Sequence, residues 1–525
     1  MSAAPREIEL KLEVNPTDLA RIKRRLSQLS ATKPVARTLV SVYFDTAHWT
    51  LRARGLSLRV RRIGRQYVQT VKSAGGPAAG LYDRGEWEHP IAGPGLELPW
   101  TAQTALGPLL RGRLAASLRP MFETRIRRTE YRLARDGAAI AADLDHGSVH
   151  AGSSHRTVCE LELELLRGPP AALFGVAEAL ADLAPMHLSI KTKPDRGYEL
   201  LRRTGITALT SAGSVRASRA STAGEAFQTI ARGCLRQVIA NGPAVLAREA
   251  EALHGMRVAL RRLRAGISVF SRVVADRPSG KIKSELRWLE ETLGPARDFD
   301  VYVADVVGPL RKRHRHDGKV KRIYQDIERR RAVLYAQVAA SLQSQRLRHL
   351  ELALARWIEA GPWLVNRTSP AARRRDRPVT QLAAEALTRR RKKLCKRGRC
   401  LAKLNRWKRH RVRIRAKKLR YAVGFFSEIF PGKGRAKRCR DTLSALEDLQ
   451  DSLGALNDLA QQEDLSAHDT EGTAPTGVPI TGTGAAAHAF AAPLSSAARE
   501  ARTAQLLHEA ERAFKRFCAV KPFWE

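Results

Sequence analysis

Glu7-Ile8-Glu9-Leu10-Lys11-Leu12-Glu13 alternates charged and apolar residues without a fault, and this stretch decides how the N-terminal part of the chain is read. Successive side chains of a strand point to opposite faces, so Glu7, Glu9, Lys11 and Glu13 share one face and Ile8, Leu10 and Leu12 the other. The same period recurs in Leu56–Arg61, which aligns Arg59 with Arg61, and in Cys159–Leu165, which aligns Glu160, Glu162 and Glu164. Tyr67–Ser73 and Tyr82–Glu88 also read as strands, the second with Arg84, Glu86 and Glu88 on one face. Helical spacing in this part is confined chiefly to Thr17–Leu29 and Ala171–Ala184. Many alternating strands with few helices predict an antiparallel sheet or barrel.

A charged strand face is ordinarily the wet side of a half-buried sheet. Rows of both signs on several strands fit another arrangement, a sheet closed with its charge inside, carboxylates along one wall and Arg and Lys along the other. Crowded carboxylates repel one another unless a divalent cation sits between them. Oxygen ligands at that density suit Mg²⁺ or Mn²⁺. The opposing cations would hold the oxygens of a compact polyphosphate.

These residues also carry a family likeness. Glu7-x-Glu9-x-Lys11 resembles the signature of the CYTH family, the triphosphate tunnel metalloenzymes, and further pieces follow in that family's order. They are Tyr43-Phe44-Asp45-Thr46, the run from Leu51 through Arg59 and Arg61, Thr70-Val71-Lys72, and Arg84-x-Glu86-x-Glu88. Phe122-x-Thr124 with Arg128, Asp145-x-Gly147, Glu160-x-Glu162-x-Glu164 and Lys193-x-x-Arg196-Gly197-Tyr198 complete the set, which covers about residues 5–203. The resemblance implies a closed antiparallel β tunnel that hydrolyses triphosphate compounds with a divalent metal. It implies that Glu7, Glu9, Asp145, Glu160 and Glu162 serve the metal. Lys11, Arg59, Arg61, Lys72, Arg84, Arg128, Lys193 and Arg196 would hold phosphate, and Glu164 or Glu88 would orient the attacking water. Two positions depart from the family pattern. Ala141 stands where a carboxylate is usual, with Asp143 on the same strand face instead, and Thr192 stands where Ser commonly precedes the lysine.

The whole chain has 525 residues, 93 of them Lys or Arg and 52 Asp or Glu, for a net charge of +41. That excess implies a polyanionic partner and leaves open nucleic acid, an anionic membrane surface or a phosphate polymer. Hydrophobic residues at 43% exclude wholesale disorder, and aromatic residues at 6% weaken any reading built on base stacking. Residues 1–210 carry only +10 of the charge and residues 211–525 carry +31, so the halves are expected to do different work. Six cysteines without C-x-x-C spacing read as reduced thiols, not as a zinc site or a disulfide framework. No signal peptide or membrane-spanning run is evident, so a cytoplasmic protein is expected.

Gly205–Gly224 is small, polar and coincident with the charge shift, which predicts a linker at 205–223 between a β domain (1–204) and a helical domain (224–525). Beyond it apolar residues recur at three- and four-residue spacing almost throughout, as in Gly224–Ala240, His254–Val274, Val379–Asn405 and His410–Phe430. The fold class is therefore α+β multidomain, a β domain, which the resemblance implies is a closed antiparallel tunnel, followed by an all-α duplicated bundle. Arg367–Thr380 breaks that bundle into repeats of about 224–366 and 379–525, and Ser466–Ser496 reads as a mobile loop.

The repeats show in two segments. His254, Arg257, Arg261, Arg262 and Arg264 stand at offsets 0, +3, +7, +8 and +10, and His410, Arg413, Lys417, Lys418 and Arg420 repeat those offsets. At ~100° per residue all but the +8 positions fall in a narrow arc, so each helix presents a basic stripe opposite Met256 and Leu263, or Val412 and Leu419. Each segment is followed by Leu-Gly-x-x-x-Asp, at Leu293–Asp298 and Leu453–Asp458. These features resemble the CHAD family over about residues 224–525. That resemblance implies a helical module associated with inorganic polyphosphate, the stripes lining a basic cleft.

The expectation is an inorganic triphosphatase of bacterial type, acting on tripolyphosphate or short polyphosphate, whose basic half holds or targets the polymer, in the cytoplasm or at polyphosphate granules. A non-catalytic polyphosphate-binding protein is the alternative. A nucleic-acid binder is a further one, disfavoured because no RNA- or DNA-binding motif spacing is present.

Overall fold

The computed structural model describes residues 6–73, 79–110, 113–202, 216–313, 317–468 and 496–525. Most of the expected linker and of the expected loop at 466–496 lies outside the described residues, as does the Asp458 side chain.

Among the described residues nine strands form one sheet: β1 Arg6–Val14, β2 Val35–Asp45, β3 Leu56–Ile63, β4 Gln66–Ser73, β5 Leu81–Ile91, β6 Arg119–Arg135, β7 Ala138–Ala151, β8 Ser154–Arg167 and β9 Met186–Leu188. The order is β5-β4-β3-β2-β6-β7-β8-β1, and β1 also pairs with β5, which closes an eight-stranded antiparallel barrel. The short β9 adds to β1 outside that circuit. The expected antiparallel barrel is therefore present, with the predicted strands in place.

The barrel is turned inside out relative to a barrel with an apolar lumen. Leu10, Leu12, Leu144, Leu161 and Leu163 are buried on its outer face, while Glu9, Lys11, Asp145, Glu160 and Glu162 are buried on its inner one. Outside cover comes from the helix Ala171–Ala181, whose Leu173, Phe174, Val176, Ala177 and Leu180 are fully buried and which packs on β1 and β8. The helix Gln345–Ala360 packs in turn on that helix and on β9, burying Leu347, Leu350, Leu354 and Ile358. It belongs to the same compact unit as the barrel, made of Met1–Thr210, Leu235–Ala244 and Ser341–Val365.

Part of the motif set is structural. Asp45 is wholly buried and accepts from the backbone N–H groups of Thr46 (2.7 Å), Leu51 (2.9 Å) and Arg52 (3.1 Å). It also accepts from the hydroxyl of Tyr198 at 2.6 Å, so one carboxylate ties the end of β2 to the short helix Thr50–Ala53 and to the helix Lys193–Leu201. Tyr43 and Phe122 stack at 4.9 Å beside Tyr198, within the cluster of Leu39, Ile126, Val149 and Val158.

The second unit is all-helical and comprises Ser211–Cys234, Val245–Ala340 and Asn366–Glu525. The helices Ala250–Val269 and Arg406–Phe426 pack on each other, each also against the helix that follows it in its repeat, Pro278–Tyr302 and Lys433–His468. Phe227, Phe270 and Phe426 form a chain of tilted ring contacts at 5.6 and 5.8 Å. Met256, Leu263, Val412 and Leu419 all point to the core, as their spacing predicts.

Asp45→Ala strips an acceptor from three backbone donors and a phenol, and should lower the melting stability of the barrel unit by about 3 kcal/mol, whereas Tyr198→Phe removes one hydrogen bond, worth about 1 kcal/mol. Chemical denaturation monitored separately for the two units checks this; equal losses would contradict the central place given to Asp45.

Candidate functional site

Closing the sheet brings charged inner rows from seven strands around a cavity of about 200 Å³. Its lining includes Glu7, Glu9 and Lys11 of β1, Arg59 and Arg61 of β3, Lys72 of β4, Arg84 and Glu88 of β5, Arg128 of β6, Glu162 and Glu164 of β8, and Lys193. Twelve residues expected at the site thus converge on one space. Asp145, Glu160 and Arg196 do not reach the lining and sit behind Lys193. Tyr43, Ser57, Glu86, Asp143 and Thr192 line the cavity without having been assigned to it. Ser57 and Glu86 were within reach, since period two places them with Arg59 and with Arg84 and Glu88. Tyr43 had no such signal, because its motif is largely structural.

The signs interleave instead of separating onto two walls. Lys72 lies 2.8 Å from Glu7 and 2.9 Å from Glu86. Arg84 pairs with Glu7 at 3.1 Å and with Glu9, and Lys11 pairs with Glu162 and, at 3.2 Å, with Glu9. Arg59 lies 3.6 Å from both Glu86 and Glu88. An ionised group removed from water needs an opposite charge nearby, and cross-strand neighbours supply it. Burial opposes the charge on Lys11, Arg84 and Lys193, and the facing carboxylates more than reverse this, holding all three cations charged.

Arg61 stands apart. Its only polar contact among the described residues is to Ser41 Oγ at 3.2 Å, and no carboxylate lies within ion-pair distance. Burial, then Arg59 and Arg128, push its guanidinium down to about 10. The cavity therefore offers a half-buried, unpaired cation to a ligand anion.

Two carboxylates are short of positive charge in the complementary way. Glu164 has no ion-pair partner among the described residues, and burial followed by Glu7, Glu86 and Asp143 raises it to about 7. Asp143 pairs with Arg128 through one oxygen, while its buried Oδ1 has no hydrogen-bond partner. Burial raises it to about 6, with Arg128 opposing and Glu162 and Asp145 adding to the rise. Hard oxygen donors in such a deficit fit a divalent cation. Asp143, together with Glu7 and Glu9 once these give up part of their pairing with Lys72 and Arg84, would be its holders, which leaves Glu164 for another role. Asp145, Glu160 and Glu162 form a tighter buried triad, their ligand oxygens within 4.8 Å of one another. There, however, Lys193 Nζ already lies 2.7, 2.5 and 2.9 Å from the three carboxylates, so the centre of that triad holds an ammonium. The departure at Ala141 is now placed: it sits cross-strand from Glu164, and Asp143 sits cross-strand from Glu162.

In the helical unit the paired stripes are brought together. Lys417 is pushed down to about 8 by burial and then by Arg261, Arg413, Arg420 and Arg257, which draws on both repeats. His254 is lowered by burial, Arg297 and Arg261, which favours the neutral imidazole. Partners lacking along each stripe come from the next helix in places: Arg264 pairs with Glu290, Arg420 with Glu447 at 3.0 Å, and Arg257 reaches Asp298 at 4.0 Å. Arg261, Arg413, Lys417 and Lys418 have no ion pair among the described residues, and Lys418 is exposed. Arg262 turns away to lie 6.0 Å over the ring of Phe425. The glycines of the repeated Leu-Gly motif have a shared use: a Cβ on Gly294 would stand 3.2 Å from Arg257 Nη1, and one on Gly454 3.3 Å from Arg413 Nη2. Each glycine lets the +3 arginine of its stripe lie close against the following helix. Arg257, Arg261 and Arg264 line a cavity of about 380 Å³ with Arg287, Gly294 and the carboxylates Glu290 and Glu291.

A charge-lined antiparallel barrel joined to a duplicated basic helical bundle defines the class, and the comparisons agree with it. The CYTH domain model matches residues 5–198 and the CHAD domain model residues 229–467, so the chain is a CYTH–CHAD fusion. An inorganic triphosphatase of Haemophilus influenzae is 28% identical over 200 residues, which is 37% of this chain and 54% of that protein. The match thus spans about half the length of that curated relative. Among solved structures, the CHAD domain of the plant Ricinus communis covers 60% of this chain and 98% of its own at 24% identity and a TM-score of 0.46. The Hippeastrum protein HpAC1, which reveals a dominant triphosphatase activity, covers 37% of this chain and 95% of its own at 21% identity and a TM-score of 0.31.

The titration directions give a pH profile for the metal-free barrel. Glu164 and Asp143 bind protons more readily folded than unfolded, so between about pH 7 and about pH 5 stability rises as pH falls. Glu162, Asp145 and Glu86 are held below the ordinary carboxylate range by Lys11, Arg128 and Lys72 respectively, against the opposing pull of burial. Their contribution is present above that range and is lost as pH falls through it, below about pH 4. Melting curves in chelator should therefore peak in the weakly acid region, and Glu164→Gln should flatten the neutral side; a monotonic fall from neutral pH would contradict this.

Proposed function

We propose that the barrel hydrolyses inorganic triphosphate or short polyphosphate with the help of Mg²⁺ or Mn²⁺, and that the basic helical unit holds a polyphosphate chain. One observation carries the first part: the same cavity contains a half-buried cation with no ion-pair partner among the described residues, Arg61, and carboxylates short of positive charge, Glu164 and Asp143. A lining of that kind is complementary to a phosphate chain together with a metal. Similarity to an inorganic triphosphatase over 200 residues supports the same choice.

Arg59, Lys72 and Arg128 would take the phosphoryl oxygens by exchanging their present carboxylate partners for the ligand, and Arg61, which has no such partner, would take them directly. Little rearrangement is needed, because the partners already fix these side chains in the lumen, and such preorganisation is a main source of rate in phosphoryl transfer. A divalent ion held by Glu7, Glu9 and Asp143 would neutralise charge on the transferred group and lower the pKa of bound water. Glu164 would orient the attacking water and accept its proton, a task suited to a carboxyl raised toward neutrality. Glu88 is less suited to it, since its half-exposed side chain accepts from Thr70 at 3.1 Å and faces Arg59.

The second part rests on mutual repulsion. Lys417 and its neighbouring arginines disfavour one another's charge in the ligand-free cleft, and a polyanion threaded among them would relieve that repulsion. Residence near cytoplasmic polyphosphate granules would follow.

Tripolyphosphate, long polyphosphate, ATP and thiamine triphosphate offered with each metal should give fastest orthophosphate release from tripolyphosphate. Glu7→Ala/Glu9→Ala should lower the rate at least ~100-fold, and Arg61→Ala should act mainly on KM. Undiminished release by the double variant would overturn the site. For the helical unit, Arg257→Glu/Lys417→Glu should weaken long-chain polyphosphate binding about 10-fold or more and reduce its salt dependence; unchanged binding would remove the cleft from the reading.

A further inference from the structure

The second unit contains a feature unrelated to phosphate. Cys395 lies near the end of the helix Val379–Arg397 and Cys518 near the end of the helix Ser496–Ala519, 123 positions apart in sequence, and their Sγ atoms stand 3.0 Å from each other. Both side chains are partly exposed, whereas Cys159, Cys234 and Cys439 are buried and Cys400 is exposed. No spacing in the sequence marks the pair, and all six cysteines are free thiols in the structure.

The approach of the two helices is fixed by several contacts at this end. A Cβ on Gly398 would stand 2.3 Å from the ring of Phe514, so the absence of a side chain there lets the terminal helix come in close. Arg391, one turn before Cys395, donates to the carbonyl oxygens of Cys518 at 2.7 Å and Val520 at 2.9 Å, and its guanidinium lies 5.4 Å from the centre of the Phe517 ring. Beyond the helix, Trp524 Nε1 donates to Thr388 Oγ1 at 2.8 Å. The sulfurs therefore meet in a braced place, not at two fraying ends. A disulfide bond is about 2.05 Å long, so an approach of about 1 Å joins them.

The surroundings favour the reactive form of one thiol. Cys395 is lowered to about 7, first by the hydrogen bond from Cys518 and then, against burial, by Arg391 and Arg399. Cys518 is raised by the same hydrogen bond and by burial. One sulfur is thus disposed to attack and the other to remain protonated beside it, the arrangement of an attacking and a resolving cysteine.

We propose that Cys395 and Cys518 form a reversible disulfide that staples the terminal helix to the helix Val379–Arg397 on exposure to a hydroperoxide. The Cys395 thiolate attacks the peroxide, the O–O bond breaks, and the alkoxide or hydroxide leaves and takes up a proton, giving Cys395 sulfenic acid. Cys518 then attacks that sulfur, the S–O bond breaks, and water leaves with the Cys518 proton. Two thiols and one hydroperoxide become one disulfide, one alcohol (or water) and one water. A small-molecule thiol reverses the change by exchange.

The test uses the full chain and hydrogen peroxide, with free thiols alkylated before digestion and peptide mass spectrometry. A Cys395–Cys518 cross-linked peptide, abolished by dithiothreitol, is expected before oxidation of the buried cysteines. The melting midpoint should rise on oxidation and return on reduction in the wild-type chain and in Cys400→Ser, and should not respond in Cys395→Ser or Cys518→Ala. Should either of those variants fold poorly, the wild-type cross-link remains the deciding readout. Separate alkylation of Cys395 and Cys518 after a peroxide dose that has consumed Cys400 overturns the proposal. So does a cross-link through Cys400, or oxidation of Cys395 to sulfinic acid without pairing.

Discussion

Charge held inside a closed barrel must be balanced within reach of each side chain, and the rest of the N-terminal unit depends on meeting that constraint. Period two delivers the means, because inward residues of neighbouring strands stand opposite one another at every second position. Glu7 and Glu9 are balanced from β4 and β5, and Glu162 from β1 and β6. With charge turned inward, the apolar rows face outward and require a covering layer, which the helices Ala171–Ala181 and Gln345–Ala360 provide. The places where the balance is incomplete, Arg61 on one side and Glu164 with Asp143 on the other, are the places where chemistry is expected. Complete pairing makes structure; incomplete pairing leaves something for a ligand to complete.

Much of this was legible in the sequence because alternation is a local signal. The residues that share a face of each strand, an antiparallel sheet or barrel, the stripes on two helices and the twofold repeat follow from spacing, while closure into a tunnel with the charge inside was implied by the family resemblance. Depth was not legible. Asp145 and Glu160 share their strand faces with Asp143 and Glu162, yet the helix carrying Lys193 and Arg196 closes over the first pair, and only the closed barrel reveals which residues it covers. The interleaving of signs was likewise hidden, since it depends on which strands become neighbours. Cys395 and Cys518 escaped notice for the same reason, being adjacent only after helices from distant stretches have packed.

The two units solve a shared electrostatic problem in opposite ways. The barrel surrounds its cations with carboxylates, so that Lys11, Arg84 and Lys193 are held charged. The helical unit crowds cations together, and Lys417 and Arg257 are correspondingly lowered, each with burial as the leading cause. Carboxylates from the following helices temper the flanks of each stripe without reaching its middle. Gly294 and Gly454 belong to that compromise, since they allow an arginine to lie against the neighbouring helix while its charge remains beside the cleft.

The helix Gln345–Ala360 lies deep in the stretch of sequence that belongs to the second fold, yet it packs with the barrel unit. Borders between similar sequence families and borders between cooperative folding units therefore fall in different places. A fragment cut after residue 204 would retain every strand and every lumen residue while exposing the oily flank that this helix covers. Such a fragment would be prone to self-association, and weak activity from it would report on a missing lid of leucines and not on the catalytic lumen. The same constraint limits how freely evolution can recombine the two halves: a new partner joined to this barrel must bring its own cover.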